Sequence, residues 1–83
     1  MFTVYILFSQ SLNRFYVGYT NDLERRLTEH NRKKGKYTDS GIPWELAYHE
    51  IYSTKAEAMF REKSIKEKKS RGYIESLISN SKG

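Results

Sequence analysis

The sequence predicts a small α+β domain, in which a three-stranded and mainly antiparallel sheet is flanked by helices in the order β-β-α-β-α-α. Two alternating apolar segments near the N-terminus are separated by only four residues, which predicts a β-hairpin. Two segments with helix-capping signals follow, one on each side of a third strand-like segment. A chain of 83 residues fits one domain, and a small sheet covered by helices is an economical way to bury these apolar faces.

The predicted hairpin joins strands Phe2–Ser9 and Arg14–Thr20. In each strand, apolar residues alternate with polar or aromatic ones, as in a sheet whose two faces meet different surroundings. The short connection favours a register in which Phe8 pairs with Phe15.

That register places two tyrosines and a glycine next to each other on one face of the hairpin. Tyr5 lies opposite Gly18, and Tyr16 lies diagonal to Tyr5 on the same face. Gly18 leaves space that a larger side chain would take from the Tyr5 ring. We therefore predict that both tyrosines project from one side of the hairpin, with Gly18 in a structural role.

The next segments predict a helix and a third strand. Asn21 and Glu24 resemble a capping box, and a helix runs from there to about Lys34, where Gly35 ends it. The third strand covers roughly Trp44–Tyr52. Apolar residues occur at both phases of its alternation, so we expect it to be covered on both faces.

Two helices complete the prediction. Thr54 and Glu57 form a capping box for a helix that runs to about Lys66, and Ser70 caps a last short helix. The apolar residues of the first of these helices form two neighbouring rows, Ala56-Met59-Phe60 and Ala58-Ile65. We assign residues 1–78 to the domain and residues 79–83 to a frayed tail.

Composition limits the functional classes. The net charge is +5 and the pI is about 9.5, which favours a polyanionic partner, although small domains are often mildly basic without one. The absence of cysteine excludes disulfides and thiolate metal sites. No apolar stretch is long enough to span a membrane, and the N-terminal apolar run is too short for a signal peptide, so we expect a cytoplasmic protein.

The chain has no phosphate-binding glycine loop, no zinc-protease motif and no nucleophile triad signature. The side chains that remain capable of chemistry are Tyr5, Tyr16, Arg26, His30 and Glu62. Their order and spacing, together with the Val17-Gly18 that follows Tyr16, resemble the GIY-YIG nuclease family. The resemblance is greatest to its small single-domain bacterial (YhbQ-like) members, which are related to the N-terminal domain of a bacterial excinuclease. It extends from Phe2 to about Ile78.

The resemblance implies phosphodiester hydrolysis with a single divalent metal, Mg²⁺ or Mn²⁺. Glu62 matches the metal ligand, since a hard cation takes carboxylate oxygen and keeps most of its waters. Arg26 matches the residue that holds the scissile phosphate. Tyr16 matches the tyrosine that activates the attacking water. Tyr5 and His30 would orient Tyr16 or the water, or His30 would share the proton transfer.

The sequence departs from the family pattern in two places. The first motif reads Thr3-Val4-Tyr5, so only its tyrosine is kept. Some members carry an asparagine roughly 12 to 15 residues after the metal glutamate, a window that holds Ile74 to Leu77 in this chain. The departures leave the five-residue set intact and put a secondary site residue in doubt.

The resemblance also implies a nucleic-acid partner, with DNA expected. Basic side chains outside the five-residue set would contact its backbone; they are Arg32, Lys33, Lys34, Lys36, Lys66, Lys69 and Arg71. A domain this small has little surface for reading bases, so we expect structure-selective or weakly specific cleavage in repair or recombination, with a protein partner as one source of specificity.

Ordinary alternatives stay open at this level. Tyrosines in strands are commonly packing residues, a helical Arg-His pair is commonly a solvated face, and Glu62 can pair with Lys66 one turn on. A non-catalytic nucleic-acid-binding module, or an accessory protein with the same fold, is therefore the competing function. A protein-interaction module has only the aromatic content of 14% in its favour.

Overall fold

The fold was taken from a computed structural model that describes residues 1–33, 35 and 37–81, with residues 37 and 38 described by backbone alone. The elements are β1 (Phe2–Ser9), β2 (Arg14–Thr20), α1 (Leu23–His30), a 3-10 turn (Tyr37–Gly41), β3 (Trp44–Tyr52), α2 (Lys55–Lys68) and α3 (Arg71–Ser81). Within these described ranges, none of the helices has the length and apolar character needed to cross a membrane.

The predicted α+β class and element order are confirmed. Three antiparallel strands form one sheet in the order β2-β1-β3, so β1 is its centre. Val4 and Ile6 of β1 pack towards α2 and α3, whereas Tyr5 and Leu7 face the side of α1. All four side chains are at most 1% exposed, because helices cover the central strand on both faces.

The hairpin register is also confirmed. Phe8 pairs with Phe15 and Tyr5 pairs with Gly18, and both strands have the predicted bounds. The bounds predicted for β3 are correct, but the expectation that helices cover both of its faces was wrong. β3 is an edge strand, and its exposed residues are Glu45, Leu46, His49 and Ile51. The strand that helices cover on both faces is β1.

Helix α1 starts later and ends earlier than predicted. Asp22, rather than Asn21, is the N-cap, and its carboxylate accepts a hydrogen bond from the Arg25 N–H at 3.1 Å. The helix ends because Asn31 is held by β3: its side-chain amide donates to the Trp44 carbonyl at 3.0 Å and accepts from the Trp44 N–H at 2.6 Å. The helix is thus already finished before Gly35, which takes a left-handed φ of +71°.

The capping box of α2 is present as predicted, with Thr54 and Glu57 bonded reciprocally. The helix extends to Lys68, two residues beyond the expected end. Of its two apolar rows, the one with Ala58 is buried, while Phe60 in the other is 77% exposed. The Ser70 hydroxyl accepts from the N–H of Tyr73 and caps α3. α3 continues to Ser81, so it includes part of the predicted tail, and residues 82–83 lie outside the described chain.

A polar cluster ties β3 to α2 and α3. The Glu50 carboxylate accepts two hydrogen bonds from the Arg61 guanidinium, at 2.9 and 3.1 Å. Tyr48 and Tyr52 also donate to Glu50, and Arg61 donates to Tyr73 at 3.0 Å. Although burial opposes it, this set of donors lowers the pKa of Glu50 below its ordinary value.

Candidate active site

The candidate site lies beside β2, which is one edge strand of the sheet. Tyr5 and Tyr16 project from the sheet face that α1 covers, and α1 brings Arg26 and His30 to them. Helix α2 packs on the opposite face, yet its Glu62 lines the same cavity as both tyrosines. All five predicted catalytic side chains therefore converge, although they come from two strands and two helices.

Tyr5 is the centre of this group. Its hydroxyl accepts a hydrogen bond from Arg26 Nε–H at 3.3 Å and lies 3.4 Å from His30 Nε2. Burial raises the pKa of the Tyr5 phenol above its ordinary value and outweighs the hydrogen bond from Arg26, which lowers it. Tyr5 is consequently a neutral phenol near pH 7, suited to positioning Arg26 and His30 rather than to accepting a proton.

Tyr16 occupies the more open position. Its ring stacks beside that of Tyr5 with centroids 6.4 Å apart and planes 18° apart. The His30 ring meets it edge-on at 4.7 Å. Tyr16 is only partly buried and lines the site cavity, so of the two tyrosines it is the one that a substrate or an attacking water can approach.

Gly18 provides the space in which the Tyr5 ring lies. A Cβ at this position would stand 2.5 Å from the Tyr5 hydroxyl oxygen and 2.7 Å from the ring carbon that bears it. Real non-bonded carbon contacts are far longer than this, so the strand pair has to carry glycine here for Tyr5 to keep its place.

Four of the five side chains line an open cavity of about 550 Å³, and the fifth, His30, packs against the rings of Tyr5 and Tyr16. The residues that line the cavity are Phe2, Tyr5, Tyr16, Gly18, Tyr19, Thr20, Asn21, Arg25, Arg26, Lys55 and Glu62. Three of these are cationic and one, Glu62, is acidic. An anionic ligand is therefore favoured, with a single carboxylate placed to hold a cation beside it.

The Glu62 carboxylate fits a hard divalent cation. Its side chain is 21% exposed, and its Oε2 atom lies 3.6 Å from the Nζ of Lys66, a cation that a metal would replace as its partner. Across residues 1–33, 35 and 37–81, His, Asp and Glu side chains form no group of three that could ligate a metal. One carboxylate suits Mg²⁺ or Mn²⁺, which are bound by one or two carboxylates and keep several waters.

Two cationic residues of the cavity were missed by the sequence analysis. Arg25 lines the cavity next to Arg26, and Lys55 enters it from the first turn of α2. Lys55 precedes Glu62 by seven residues, or about two helical turns, so both point to the same side of α2. That spacing was the available signal for Lys55.

The predicted nucleic-acid-binding residues divide into separate groups. Lys66, Lys69 and Arg71 line a second cavity next to the site. Arg32 and Lys33 are exposed beyond the end of α1 and line neither of these two cavities. Lys34 and Lys36 lie outside the described residues.

Comparison with known proteins agrees with this geometry. The family model described as "GIY-YIG catalytic domain" matches residues 1–74. A UPF0213 protein of Bacillus pumilus is 52% identical over 66 residues, which is 75% of this chain and 67% of that one. The UPF0213 protein YazA of Bacillus subtilis is 49% identical over 67 residues, 76% of this chain and 68% of the relative.

The structural comparison leads to the same group. The solution NMR structure of the UPF0213 protein BH0048 from Bacillus halodurans matches with a TM-score of 0.60 and 38% sequence identity. The match covers 95% of this chain and 84% of that protein. With the family model spanning residues 1–74, the strand-and-helix order and the grouped Tyr, Arg, His and Glu side chains have one common explanation: the chain belongs to the GIY-YIG family of nuclease-type catalytic domains.

Proposed function

We propose that this protein is a metal-dependent endonuclease that hydrolyses phosphodiester bonds in DNA. The observation that carries the proposal is that Tyr5, Tyr16, Arg26 and Glu62 line one open, mainly cationic cavity, with His30 packed against both tyrosines. The family supports a nuclease-type activity and a nucleic-acid substrate, and the proposal adds DNA, the metal and the roles of the residues.

Arg26 is assigned to the scissile phosphate. Its Nε–H is held by the Tyr5 hydroxyl and its Nη1 lies 3.7 Å from Glu29 Oε1, while the side chain remains 45% exposed and lines the cavity, where a ligand can reach it. Hydrogen bonding to Tyr5 raises the pKa of Arg26, so its charge is secure at any working pH. A fixed guanidinium suits a phosphate whose negative charge grows in the transition state.

Tyr16 and His30 are assigned to the attacking water. Their rings touch edge-on, and Tyr16 lines the cavity while His30 also approaches the Tyr5 hydroxyl. Either Tyr16 takes the proton of the water after giving its own phenolic proton to His30 or to solvent, or His30 takes the proton of the water while Tyr16 orients that water. In both cases water attacks phosphorus, and the P–O bond to the leaving oxygen breaks.

Glu62 is assigned to hold Mg²⁺ or Mn²⁺. When bound, such a cation polarises the phosphate and stabilises the leaving oxygen. Lys66, which pairs with Glu62 in this structure, would then lose that partner and could contact a bound strand. Metal and Lys66 are thus expected to compete for one carboxylate.

The surroundings of the site favour recognition of shape over sequence. The residues that line it offer a cationic rim and little further surface for base edges, which suits cleavage of branched, nicked or single-stranded DNA in repair or recombination. The proposal includes action in the cytoplasm, where bacterial DNA lies, with a protein partner as a further source of specificity.

The experiment is a cleavage assay on branched, nicked and single-stranded DNA with Mg²⁺, with Mn²⁺, or with a chelator. We expect cleavage that requires the metal and that falls by about 10²-fold or more in Glu62→Gln. The matched control is Glu67→Gln, an exposed carboxylate on the same helix, which should leave cleavage unchanged. Equal cleavage by Glu62→Gln and the unmodified protein would refute the mechanism.

A non-catalytic nucleic-acid-binding module is the second candidate, and one observation favours it. The carboxylate assigned to the metal is paired with Lys66 at 3.6 Å, and such a pair can serve as a purely structural contact. Salt-dependent DNA binding without cleavage of any substrate in the panel, with either metal, would select this candidate.

A further inference from the structure

We propose that a second cavity next to the site, bordered by β2, α2 and α3, is a subsite for a backbone phosphate of the bound strand. It has a volume of about 460 Å³, and we call it the cationic cavity. Its lining residues are Asn13, Arg14, Phe15, Tyr16, Val17, Ile65, Lys66, Lys69, Ser70, Arg71 and Ile74. The inference deepens the proposed function and rests on it.

The charged side chains that line this cavity are all positive. Four of its lining side chains are cationic, from Arg14, Lys66, Lys69 and Arg71, and none is acidic. In a concave surface with apolar walls, charges of one sign add up to a potential that concentrates a mobile anion. The chemistry fits a phosphate group.

Arg71 is held in place at the wall. Its guanidinium donates to the Asn13 carbonyl at 2.8 Å and to the Asn13 side-chain oxygen at 2.7 Å, and it lies over the Phe15 ring at 5.0 Å. Glu75 approaches it at 3.5 Å from outside the lining of the cavity. A cation that is already ordered loses less side-chain entropy when it contacts an anion.

Lys69 carries the most specific sign of a ligand. It adopts a left-handed backbone with φ of +47° directly after α2, a position where glycine is the usual residue. A lysine there is strained compared with glycine, because its Cβ crowds the backbone in the left-handed conformation. A side chain kept at such a position, and lining a cationic cavity, suggests that its charge is used.

The cavity adjoins the site along a direction that a strand can follow. Tyr16 lines both cavities, and Glu62 and Lys66 lie one turn apart on the same side of α2. Lys69 follows Glu62 by seven residues, which is about 10 Å along the helix. At a rise of 3.4 Å per nucleotide, this corresponds to roughly three nucleotides from the scissile phosphate.

The test uses Lys69→Gly, which removes the charge while giving the left-handed position its preferred residue. We expect this variant to be at least as stable as the unmodified protein, so weaker binding cannot come from unfolding. Lys68→Ala is the matched control, because Lys68 is the neighbouring lysine and lies over the Tyr73 ring, outside the cationic cavity.

Binding of single-stranded and branched DNA is measured by fluorescence anisotropy over a range of salt, with all variants in the Glu62→Gln background. Lys69→Gly should weaken binding about fivefold and reduce the slope of log affinity against log salt by about 1, whereas Lys68→Ala should change neither by as much. Indistinguishable affinities and slopes for the two variants would overturn the subsite.

A second arm locates the phosphate. Neutral methylphosphonates are introduced singly along a DNA substrate, and cleavage is measured with Glu62 intact. One substitution about three nucleotides from the cut should lower kcat/KM for the unmodified protein but not for Lys69→Gly. Equal losses in both proteins at every position would refute the assignment. If DNA is bound but never cleaved while Lys69→Gly still lowers affinity, the subsite holds and the nuclease proposal fails.

Discussion

Replacing Gly18 by alanine tests the packing on which the site depends. The added Cβ would lie 2.5 Å from the Tyr5 hydroxyl oxygen and 2.7 Å from its ring carbon Cζ. The Tyr5 residue is 1% exposed and its hydroxyl is held between Arg26 and His30, so the ring can move away from the added Cβ only by giving up these contacts. Overpacking of this kind costs about 1–3 kcal/mol.

The sign of the change in stability caused by Gly18→Ala distinguishes a steric clash from an ordinary glycine-to-alanine substitution. Without a clash, alanine in place of glycine in a strand would stabilise the fold by roughly 0.5–1 kcal/mol. We expect a net loss instead, measured by urea unfolding, with a fall in melting temperature of about 4–8 °C for each kcal/mol. Cleavage should fall as well, because Tyr5 positions Arg26.

The control is Gly72→Ala. A Cβ at Gly72 would meet only the Ser70 hydroxyl, at an ordinary 3.7 Å, so no loss of stability is expected. In a Tyr5→Phe background, Gly18→Ala should cost less, since the contact at 2.5 Å is removed while the one at 2.7 Å stays. A Gly18→Ala protein as stable and active as the unmodified one would refute the reasoning.

Three further outcomes are expected. Asn31→Ala should lower the free energy of unfolding by about 1–3 kcal/mol in denaturant titrations, because it removes the two hydrogen bonds that the Asn31 side chain makes with the Trp44 backbone. The pKa of Glu50 is lowered, chiefly through Arg61 against the effect of burial, so stability should fall as the pH drops below 4.5, and less steeply in Glu50→Gln. Tyr5→Phe should lower kcat/KM about 10- to 100-fold, because Arg26 loses its anchor.

Each of these has an outcome that contradicts it. An Asn31→Ala protein with unchanged stability would mean that α1 is held by its apolar face alone. Parallel stability curves for Glu50→Gln and the unmodified protein between pH 3 and 5 would show that no proton is taken up at Glu50 on unfolding. Cleavage by Tyr5→Phe at the rate of the unmodified protein would show that the Tyr5 hydroxyl is not needed for catalysis.

The hairpin could be predicted from sequence because its information is local. Period-two alternation and a four-residue connection leave one good register, and the bounds of β1 and β2 followed from it. The end of α1 could not be predicted in the same way, since Asn31 terminates the helix through hydrogen bonds to Trp44, thirteen residues away. Asn21 and Asp22 are adjacent and both are good N-cap residues, so the sequence alone did not distinguish them, and the structure shows that Asp22 is the cap.

Which strand and helix faces are buried could not be predicted from the local sequence pattern either. The mixed pattern of β3 suggested cover on both faces, but the order β2-β1-β3 makes β3 an edge and gives that cover to β1. In α2 both apolar rows were plausible core, and the structure buries Ala58 and leaves Phe60 exposed. The order of the strands and the face that a helix turns to the core depend on tertiary contacts, so they are hard to predict from the pattern of a single sequence.

For the candidate site, the sequence supplied the residue set and the structure supplied their arrangement. The spacing of Tyr16, Arg26 and Glu62 identified the group, but the burial of Tyr5 and its place between Arg26 and His30 appear only in three dimensions. Lys55 was missed because its single cue, the seven-residue spacing to Glu62, is common on any helix.

The most direct test of the central claim is a crystal structure of the protein with Mn²⁺ and inorganic phosphate, with the metal located by its anomalous signal. We predict Mn²⁺ bound to the Glu62 carboxylate, with phosphate between the metal and Arg26 and with Lys66 displaced from Glu62. Mn²⁺ bound only at other carboxylates, with Glu62 still paired to Lys66 in the presence of phosphate, would contradict the account.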